Sequence, residues 1–309
     1  MADMRVELAG LKLANPVLLA SGILDSTPGI LARMADSGAG ALVTKSISLE
    51  PRPGYAGPTV AVVARGTWLN AMGLPNPGLA EFLDEFDLQG GLVPVIPNLV
   101  ADTPEDFGKL AAGVAGAGAK LAEINLSCPH PRAGWSGLLT AQDPAAAATA
   151  TAAAAAHLPV IAKLSPDVAD IGAIAVACAE AGAAAVSAIN TMPALDIDTE
   201  LERPVLGNAF GGLSGPALLP IGLRCVLKAV RALRDAGHAM PVIGIGGISS
   251  GDDAAKYLLC GAQAVQVGTS LGGNPERLGE IAAELGGWME RKGYATLDAF
   301  RGNALEWLP

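Results

Sequence analysis

The sequence predicts an α/β fold, specifically a (β/α)8 TIM barrel with extended loops at its C-terminal face and a short N-terminal hairpin. Eight short apolar runs rich in Val, Ile and Leu alternate with helical stretches along the 309 residues. Runs of this kind are typical of parallel strands buried on both faces. No GxGxxG motif follows the first strand, which disfavours a doubly wound sheet. We therefore expect a single barrel domain over residues 1–309.

Seven of the eight predicted strands stop at a small or polar residue, and the third carries Asn98 near its end. In chain order the runs are LKLANPVLLAS, GALVTKS, LVPVIPNLV, KLAEINLS, LPVIAKLS, AAAVSAIN, MPVIGIGG and AQAVQVGT. The stretches between them have helix-starting residues, as in TPEDFGKLAAGVAGAG, where Thr103 is an N-cap and Pro104 takes the first helical position. DPAAAATATAAAAAHL starts in the same way at Asp143, and its alanines favour a helix. DIGAIAVACAEAG, the segment ending in RALRDAG, and SSGDDAAKYLLCG continue the series.

Three connections are longer than a barrel needs: residues 47–93, 128–143 and 191–216. All three follow the carboxyl ends of predicted strands. In barrel enzymes the active site and its mobile loops are built at this end. The sequence therefore predicts the functional site at the carboxyl-terminal mouth.

The composition limits the classes of partner. The formal net charge is −10, which argues against nucleic acid and anionic membranes as partners. The four cysteines are far apart and form no CxxC pair, so we expect no metal centre in this chain. The start of the chain does not resemble a signal peptide, and a reduced, cytoplasmic setting is the expectation.

Polar residues lie at the ends of six predicted strands. They are Ser21, Lys45, Asn98, Asn125, Lys163 and Asn190. Any one of them is adequately explained as a turn or capping residue. Taken together they are harder to explain in that way, because two lysines would bring charge to a buried rim. The set indicates a polar ligand in the mouth.

Glycine-rich loops follow the last two strands, in GIGGISSGDD and VGTSLGG. In barrels a phosphate commonly lies between these two loops, held by backbone N–H groups and a helix N-terminus. Each motif alone is weak evidence, but the pair favours a phosphorylated substrate or cofactor.

Cys128 differs from the other cysteines, which fall on helical stretches and are interpreted as small buried residues. It follows a strand end directly and precedes Pro129, which stops the strand. This places a thiol on the loop above the mouth. A general base acting on a ligand is the function that best fits such a thiol.

Eight short segments of the sequence together resemble a known enzyme family. The segments NLSCPH, TKSIS, LNAMGLPNPG, IAKLSPDVADI, AINT, GGLSGPALLPIGLR, GIGGI and VGTS occur in the order and spacing of class 1 dihydroorotate dehydrogenases. The match runs from about residue 5 to residue 275. The stretches after Cys128 and over residues 191–216 are most similar to the class 1B catalytic (FMN) subunit.

The resemblance implies site residues by position. The positions that match FMN-binding residues are Ser21, Lys45, Ser46, Asn98, Asn125, Lys163, Ile189, Gly215, Gly246, Gly247, Gly268 and Thr269. The positions that match dihydroorotate-binding residues are Lys45, Asn70, Ala71, Met72, Gly73, Leu74, Asn125, Asn190 and Thr191. Cys128 matches the catalytic base, and Lys163 matches the lysine that stabilises negative charge on the reduced flavin.

The resemblance also implies an activity and partners. The activity is oxidation of dihydroorotate to orotate in pyrimidine biosynthesis, with hydride transfer to FMN and the C5 proton taken by Cys128. The partners implied are a second copy of the chain in a homodimer core and an electron-transfer subunit carrying FAD and a [2Fe–2S] cluster, which together form a heterotetramer.

Three alternatives remain open at this level. His130 stands where many class 1 enzymes have Asn, and dihydropyrimidine dehydrogenases also carry SCPH, so reduction of uracil or thymine is the second candidate. A flavin-free barrel that forms a Schiff base on a phosphorylated sugar, through Lys163 or Lys45, is the third. A catalytically silent binding protein is the fourth.

Overall fold

The structure is a computed structural model, and it describes residues 2–127 and 142–307. Eight parallel strands close into a barrel, as the sequence predicts. In chain order the strands of the described residues are β1 (Val6–Leu8), β2 (Leu11–Leu13), β3 (Val17–Leu19), β4 (Leu42–Ile47), β5 (Val60–Ala64), β6 (Thr67–Asn70), β7 (Val95–Leu99), β8 (Ala122–Asn125), β9 (Val160–Leu164), β10 (Ala185–Ala188), β11 (Met192–Leu195), β12 (Ile197–Asp198), β13 (Arg203–Pro204), β14 (Phe210–Ser214), β15 (Val242–Ile245) and β16 (Ala264–Val267). The barrel order is β3-β4-β7-β8-β9-β10-β15-β16.

The barrel strands are buried on both faces, because one face lines the interior and the other is covered by helices. All residues of β8, β9, β10, β15 and β16 are buried. This explains the continuous apolar runs from which the strands are predicted. The predicted N-terminal hairpin is also present, with β1 and β2 paired in antiparallel register.

The helices are α1 (Pro28–Asp36), α2 (Leu79–Glu85), α3 (Pro104–Gly116), α4 (Pro144–Ala155), α5 (Ile171–Glu180), α6 (Leu219–Asp235), α7 (Gly251–Leu259) and α8 (Arg277–Lys292). The predicted caps are confirmed: Thr103 accepts from the Asp106 N–H at 3.2 Å, and Asp143 accepts from the Ala145 N–H at 2.9 Å. The alanine-rich segment is helix α4, and it packs between α3 and α5.

Two helices were not predicted. One is the short α2, inside the first long connection. The other is α8, whose buried Leu278, Ile281, Leu285 and Met289 recur at helical spacing. This spacing is a sequence signal for α8.

Two of the long connections fold into a second, smaller sheet, which the sequence pattern does not predict. Its antiparallel strands run in the order β11-β14-β6-β5, so it joins residues from the 47–93 and 191–216 connections. In the loop after β16, a Cβ added at Gly272 would lie 2.3 Å from the Trp68 ring of β6. The small sheet therefore packs closely against the carboxyl end of the barrel. Within the described residues, no helix is both long and apolar enough to cross a membrane.

Candidate active site at the carboxyl ends of the barrel strands

A cavity opens at the carboxyl ends of β3, β9, β10, β15 and β16. Ten of the residues predicted for the site line it. They are Ser21, Lys163, Ile189, Asn190, Thr191, Gly215, Gly246, Gly247, Gly268 and Thr269. These residues come from separate parts of the sequence, and the barrel brings them together because its parallel strands all end at one face.

The loop after β15 requires glycine. Gly246 and Gly247 have φ angles of +124° and +69°, a region that residues with a side chain rarely adopt. A Cβ at Gly247 would also lie 2.6 Å from the backbone nitrogen of Leu219. The backbone here therefore passes directly against the start of α6, and both glycines line the cavity.

The first turn of the neighbouring helix α7 is already occupied by the protein's own side chains. The Gly251 N–H donates to Glu284 Oε2 at 2.7 Å, and the Asp253 N–H donates to Ser250 Oγ at 3.2 Å. A carboxylate thus takes the place that an anionic ligand would use at a helix N-terminus.

A buried carboxylate lies beneath the cavity and was not predicted from the sequence. Glu123 on β8 has no solvent exposure. It accepts hydrogen bonds from Asn98 Nδ2 at 2.7 Å, Ser187 Oγ at 2.9 Å and Gln266 Nε2 at 2.7 Å. The Nζ atom of Lys163 lies 3.5 Å from its Oε1 atom. One carboxylate therefore connects side chains of β7, β9, β10 and β16.

The two amides bound to Glu123 each leave an oxygen without a partner. Among the described residues, Asn98 Oδ1 and Gln266 Oε1 are buried and accept no hydrogen bond. Such atoms are costly unless a ligand donates to them. Together with the Lys163 ammonium and the glycine loops, they form an acceptor and donor set that fits a phosphorylated flavin, which has ring N–H and C=O groups.

A second pair of charges, the buried Asp25 and the half-buried Lys45, lies beside this set. Burial lowers the pKa of Lys45, with the Asp25 charge opposing that change and the Lys163 charge adding to it. Burial raises the pKa of Asp25, and the nearby Lys45 charge and the Gly22 N–H oppose the rise. The mouth therefore contains two lysines and two carboxylates whose charges act on one another. Ser46, the next residue of β4, pairs in register with Asn98 on β7.

The predicted substrate-binding amides are also brought together. Asn190 Nδ2 donates to Asn125 Oδ1 at 3.1 Å, and Asn190 Oδ1 accepts from the Thr191 N–H at 2.8 Å. Asn70 on β6 donates to the Gly212 carbonyl of β14 at 3.2 Å, and a Cβ at Gly212 would meet Thr191. The small sheet therefore carries Asn70 towards the amides at the end of the barrel.

The remaining predicted substrate residues continue from Asn70. Ala71 is buried and donates its N–H to the Thr59 carbonyl, while Met72 is partly exposed. Gly73 and Leu74 both have positive φ angles, of 73° and 56°. The chain thus turns sharply directly after β6. Cys128 and His130 lie outside the described residues.

The fold and the site together define a class of protein. A closed parallel barrel with glycine loops after its last two strands, and with lysines and amides at the mouth, is typical of TIM-barrel enzymes that bind a phosphorylated ligand. Residues 3–289 match the family model for dihydroorotate dehydrogenase. The chain belongs to the dihydroorotate dehydrogenase family, which confirms the resemblance.

Similar proteins with full-length matches agree with this assignment. A protein of Pyrococcus abyssi named dihydroorotate dehydrogenase B (NAD(+)), catalytic subunit, is 44% identical over 308 residues, covering 98% of this chain and 99% of that protein. Proteins of the same name from Pyrococcus furiosus and Thermococcus kodakarensis are 43% and 41% identical. The first match covers 98% of this chain and the second 99%, and each covers 99% of the other protein. Membership of this family does not favour the Schiff-base, silent-binder or pyrimidine-reducing alternatives.

The site residues that were not predicted differ in how clearly the sequence marks them. Glu123 is a charged residue inside a run predicted to be buried on both faces, and Gln266 is a polar residue in a similar run. A polar side chain on a buried strand needs a hydrogen-bonding partner. In a closed barrel, inward-facing side chains of other strands can supply that partner. Asp25 has a weaker signal, because an acidic residue in a loop is usually solvated.

Proposed function

We propose that this chain is an FMN-dependent dihydroorotate dehydrogenase subunit, which oxidises dihydroorotate to orotate in pyrimidine biosynthesis. The observation that carries the proposal is the arrangement at the barrel mouth in a member of this family. Lys163, which pairs with the buried Glu123, and the two glycine loops surround one cavity. Residues 1–309 would form one FMN-binding barrel domain, and the protein would be located in the cytoplasm.

The residues that would hold FMN fall into two groups. Gly246, Gly247, Gly268 and Thr269 would bind the phosphate through backbone N–H groups. The ring would lie against the strand-end residues Ser21, Lys45, Ser46, Asn98, Asn125, Lys163, Ile189 and Gly215. Bound FMN supplies a hydride acceptor for C6 of dihydroorotate. Lys163 keeps a positive charge beside the site where negative charge develops.

Dihydroorotate would be held by charge and amide complementarity. Its carboxylate calls for a cation, and the Lys45 ammonium at the mouth supplies one. Its ring amides call for donors and acceptors in pairs, which the side chains of Asn70, Asn125 and Asn190 supply. The mutual hydrogen bond of Asn125 and Asn190 fixes the orientation of both amides in advance. Such preorganisation lowers the cost of orienting a substrate.

The proton at C5 needs a base on the face of the substrate away from the hydride acceptor. Cys128 is proposed for this function, because it comes three residues after Asn125, the last residue of β8. A thiol becomes an effective base as its thiolate, so its local electrostatics set the rate of proton removal.

The electrons have to leave the chain to complete the reaction. The similar proteins carry NAD(+) and catalytic subunit in their names. We propose that this chain forms a homodimer core, joined to an electron-transfer subunit carrying FAD and a [2Fe–2S] cluster in a heterotetramer.

The test is to purify the chain, record its absorbance in the flavin band, and assay it with an artificial electron acceptor. Dihydroorotate should support turnover, and dihydrouracil should support little or none. A protein that stays colourless after addition of FMN would overturn the proposal. Turnover that favours dihydrouracil would transfer the assignment to the pyrimidine-reducing alternative.

A further inference from the structure

Glu123 has no function in the proposed reaction, yet it is the most completely enclosed charged side chain near the site. Neither the residue nor its side chain is exposed. A buried carboxylate costs several kcal/mol unless hydrogen bonds and a counter-charge compensate it. Three donors and Lys163 provide that compensation. Apolar residues could fill the same space without the cost of desolvating a carboxylate, so the presence of Glu123 requires an explanation.

The partners of Glu123 connect it to the cavity. Lys163 and Gln266 both line the cavity, and both contact Glu123. The strand register supports the arrangement, since Asn98 pairs with Glu123 across β7 and β8, and Lys163 pairs with Ser187 across β9 and β10. The carboxylate therefore lies one contact away from the cavity.

The hydrogen bonds determine which atoms the amides present to a ligand. Asn98 and Gln266 each give an NH₂ group to Glu123, so each has its oxygen left over, buried and unpaired. A carboxylate accepts at both oxygens, whereas an amide in its place accepts at only one and donates at the other. A glutamine at position 123 would present an NH₂ group in place of one carboxylate oxygen. The Asn98 or Gln266 amide facing that group would have to turn over and present its oxygen.

We propose that Glu123 is a positioning residue for the flavin site: it orients the Asn98 and Gln266 amides as acceptors, fixes Lys163, and offsets part of the Lys163 charge. This inference rests on the proposed binding of FMN at this cavity. Its consequence is that Glu123 and Lys163 have opposite effects on the reduction potential. The lysine stabilises the electron-rich reduced flavin, and the nearby carboxylate opposes it.

The test compares two single variants of the FMN-loaded protein. Glu123→Gln removes the negative charge and should raise the two-electron potential of bound FMN. Lys163→Met removes the positive charge and should lower it. We expect each substitution to change the preference for reduced over oxidised FMN by about tenfold or more, or ~30 mV per tenfold for a two-electron couple. General damage to the site would not produce shifts of opposite sign.

Ser187→Ala is the matched control. It removes one hydrogen bond from the same carboxylate but no charge, so its potential should stay close to that of the wild-type protein. Equal shifts in Ser187→Ala and Glu123→Gln would show that packing, and not charge, sets the potential, and would overturn the inference.

If the Glu123→Gln variant does not fold, a second comparison tests the inference in its place. The double variant Glu123→Gln/Lys163→Met removes both members of the pair, which is less destabilising than leaving one charge unpaired. Its potential should lie above that of Lys163→Met alone, and equal potentials would overturn the inference. Wild-type protein that binds no FMN would overturn the proposed function and the inference with it. FMN-loaded variants with unchanged potentials would overturn only the inference.

Discussion

Replacing Gly247 with alanine tests the proposed phosphate loop. At φ +69° a side chain costs roughly 1–2 kcal/mol of backbone strain. The new Cβ would lie 2.6 Å from the Leu219 nitrogen, where ordinary contacts begin near 3.4 Å. The loop would therefore have to retreat by close to 1 Å, a misplacement that can cost up to about 10²-fold in a positioned site. We expect FMN affinity to fall by about 10- to 100-fold, or roughly 1.4–2.7 kcal/mol.

Gly237→Ala provides the matched control. Gly237 follows α6 at φ +81°, and nothing lies within 4 Å of the position its Cβ would take. In urea unfolding of the apoprotein both variants should lose stability, because both introduce a side chain at a positive φ, and Gly247→Ala should lose more, because its Cβ also meets the Leu219 backbone. Only Gly247→Ala should weaken FMN, measured by quenching of flavin fluorescence. Equal FMN affinities in the two variants would refute the placement of the phosphate against this loop.

Three further predictions concern proton transfer, substrate charge and the electron acceptor. Cys128→Ala should retain FMN but slow flavin reduction by dihydroorotate by roughly 10²–10⁴-fold in stopped-flow measurements, and a wild-type rate would remove the base assignment. Asp25→Asn removes the charge that opposes the burial-induced lowering of the Lys45 pKa, so this pKa should fall further. Because Lys45 is charged only below its pKa, the alkaline rise in KM for dihydroorotate should move to lower pH, and an unmoved pH profile would argue against Lys45 as the carboxylate partner. The isolated chain should reduce dyes but negligible NAD until the partner subunit is added, and rapid NAD reduction by the chain alone would contradict the proposed assembly.

The barrel could be predicted because its physical causes are local. Strands buried on both faces are continuous apolar runs, and helices start at residues such as Thr103 and Asp143, whose side chains cap the first turn. The small four-stranded sheet could not be predicted in this way. Its strands β6 and β14 are paired across more than 140 residues of sequence, as the Asn70–Gly212 hydrogen bond shows.

The candidate site was predictable to the extent that it consists of strand ends. Lys163 and Asn190 could be placed at one mouth because parallel strands end at the same face of a barrel. Which side chains face one another inside the barrel depends on strand register, which the sequence pattern leaves undetermined. Glu123 could be recognised as unusual from the sequence, but its four partners come from four other strands.

The most direct test of the central claim is a single-turnover measurement without oxygen. FMN-loaded wild-type protein is mixed with dihydroorotate, and the loss of the oxidised flavin absorbance is followed over time. The account predicts that dihydroorotate bleaches the flavin band with formation of one orotate per FMN, and that dihydrouracil at the same concentration does not. An FMN-loaded protein that dihydroorotate leaves fully oxidised, or that only dihydrouracil reduces, would contradict it.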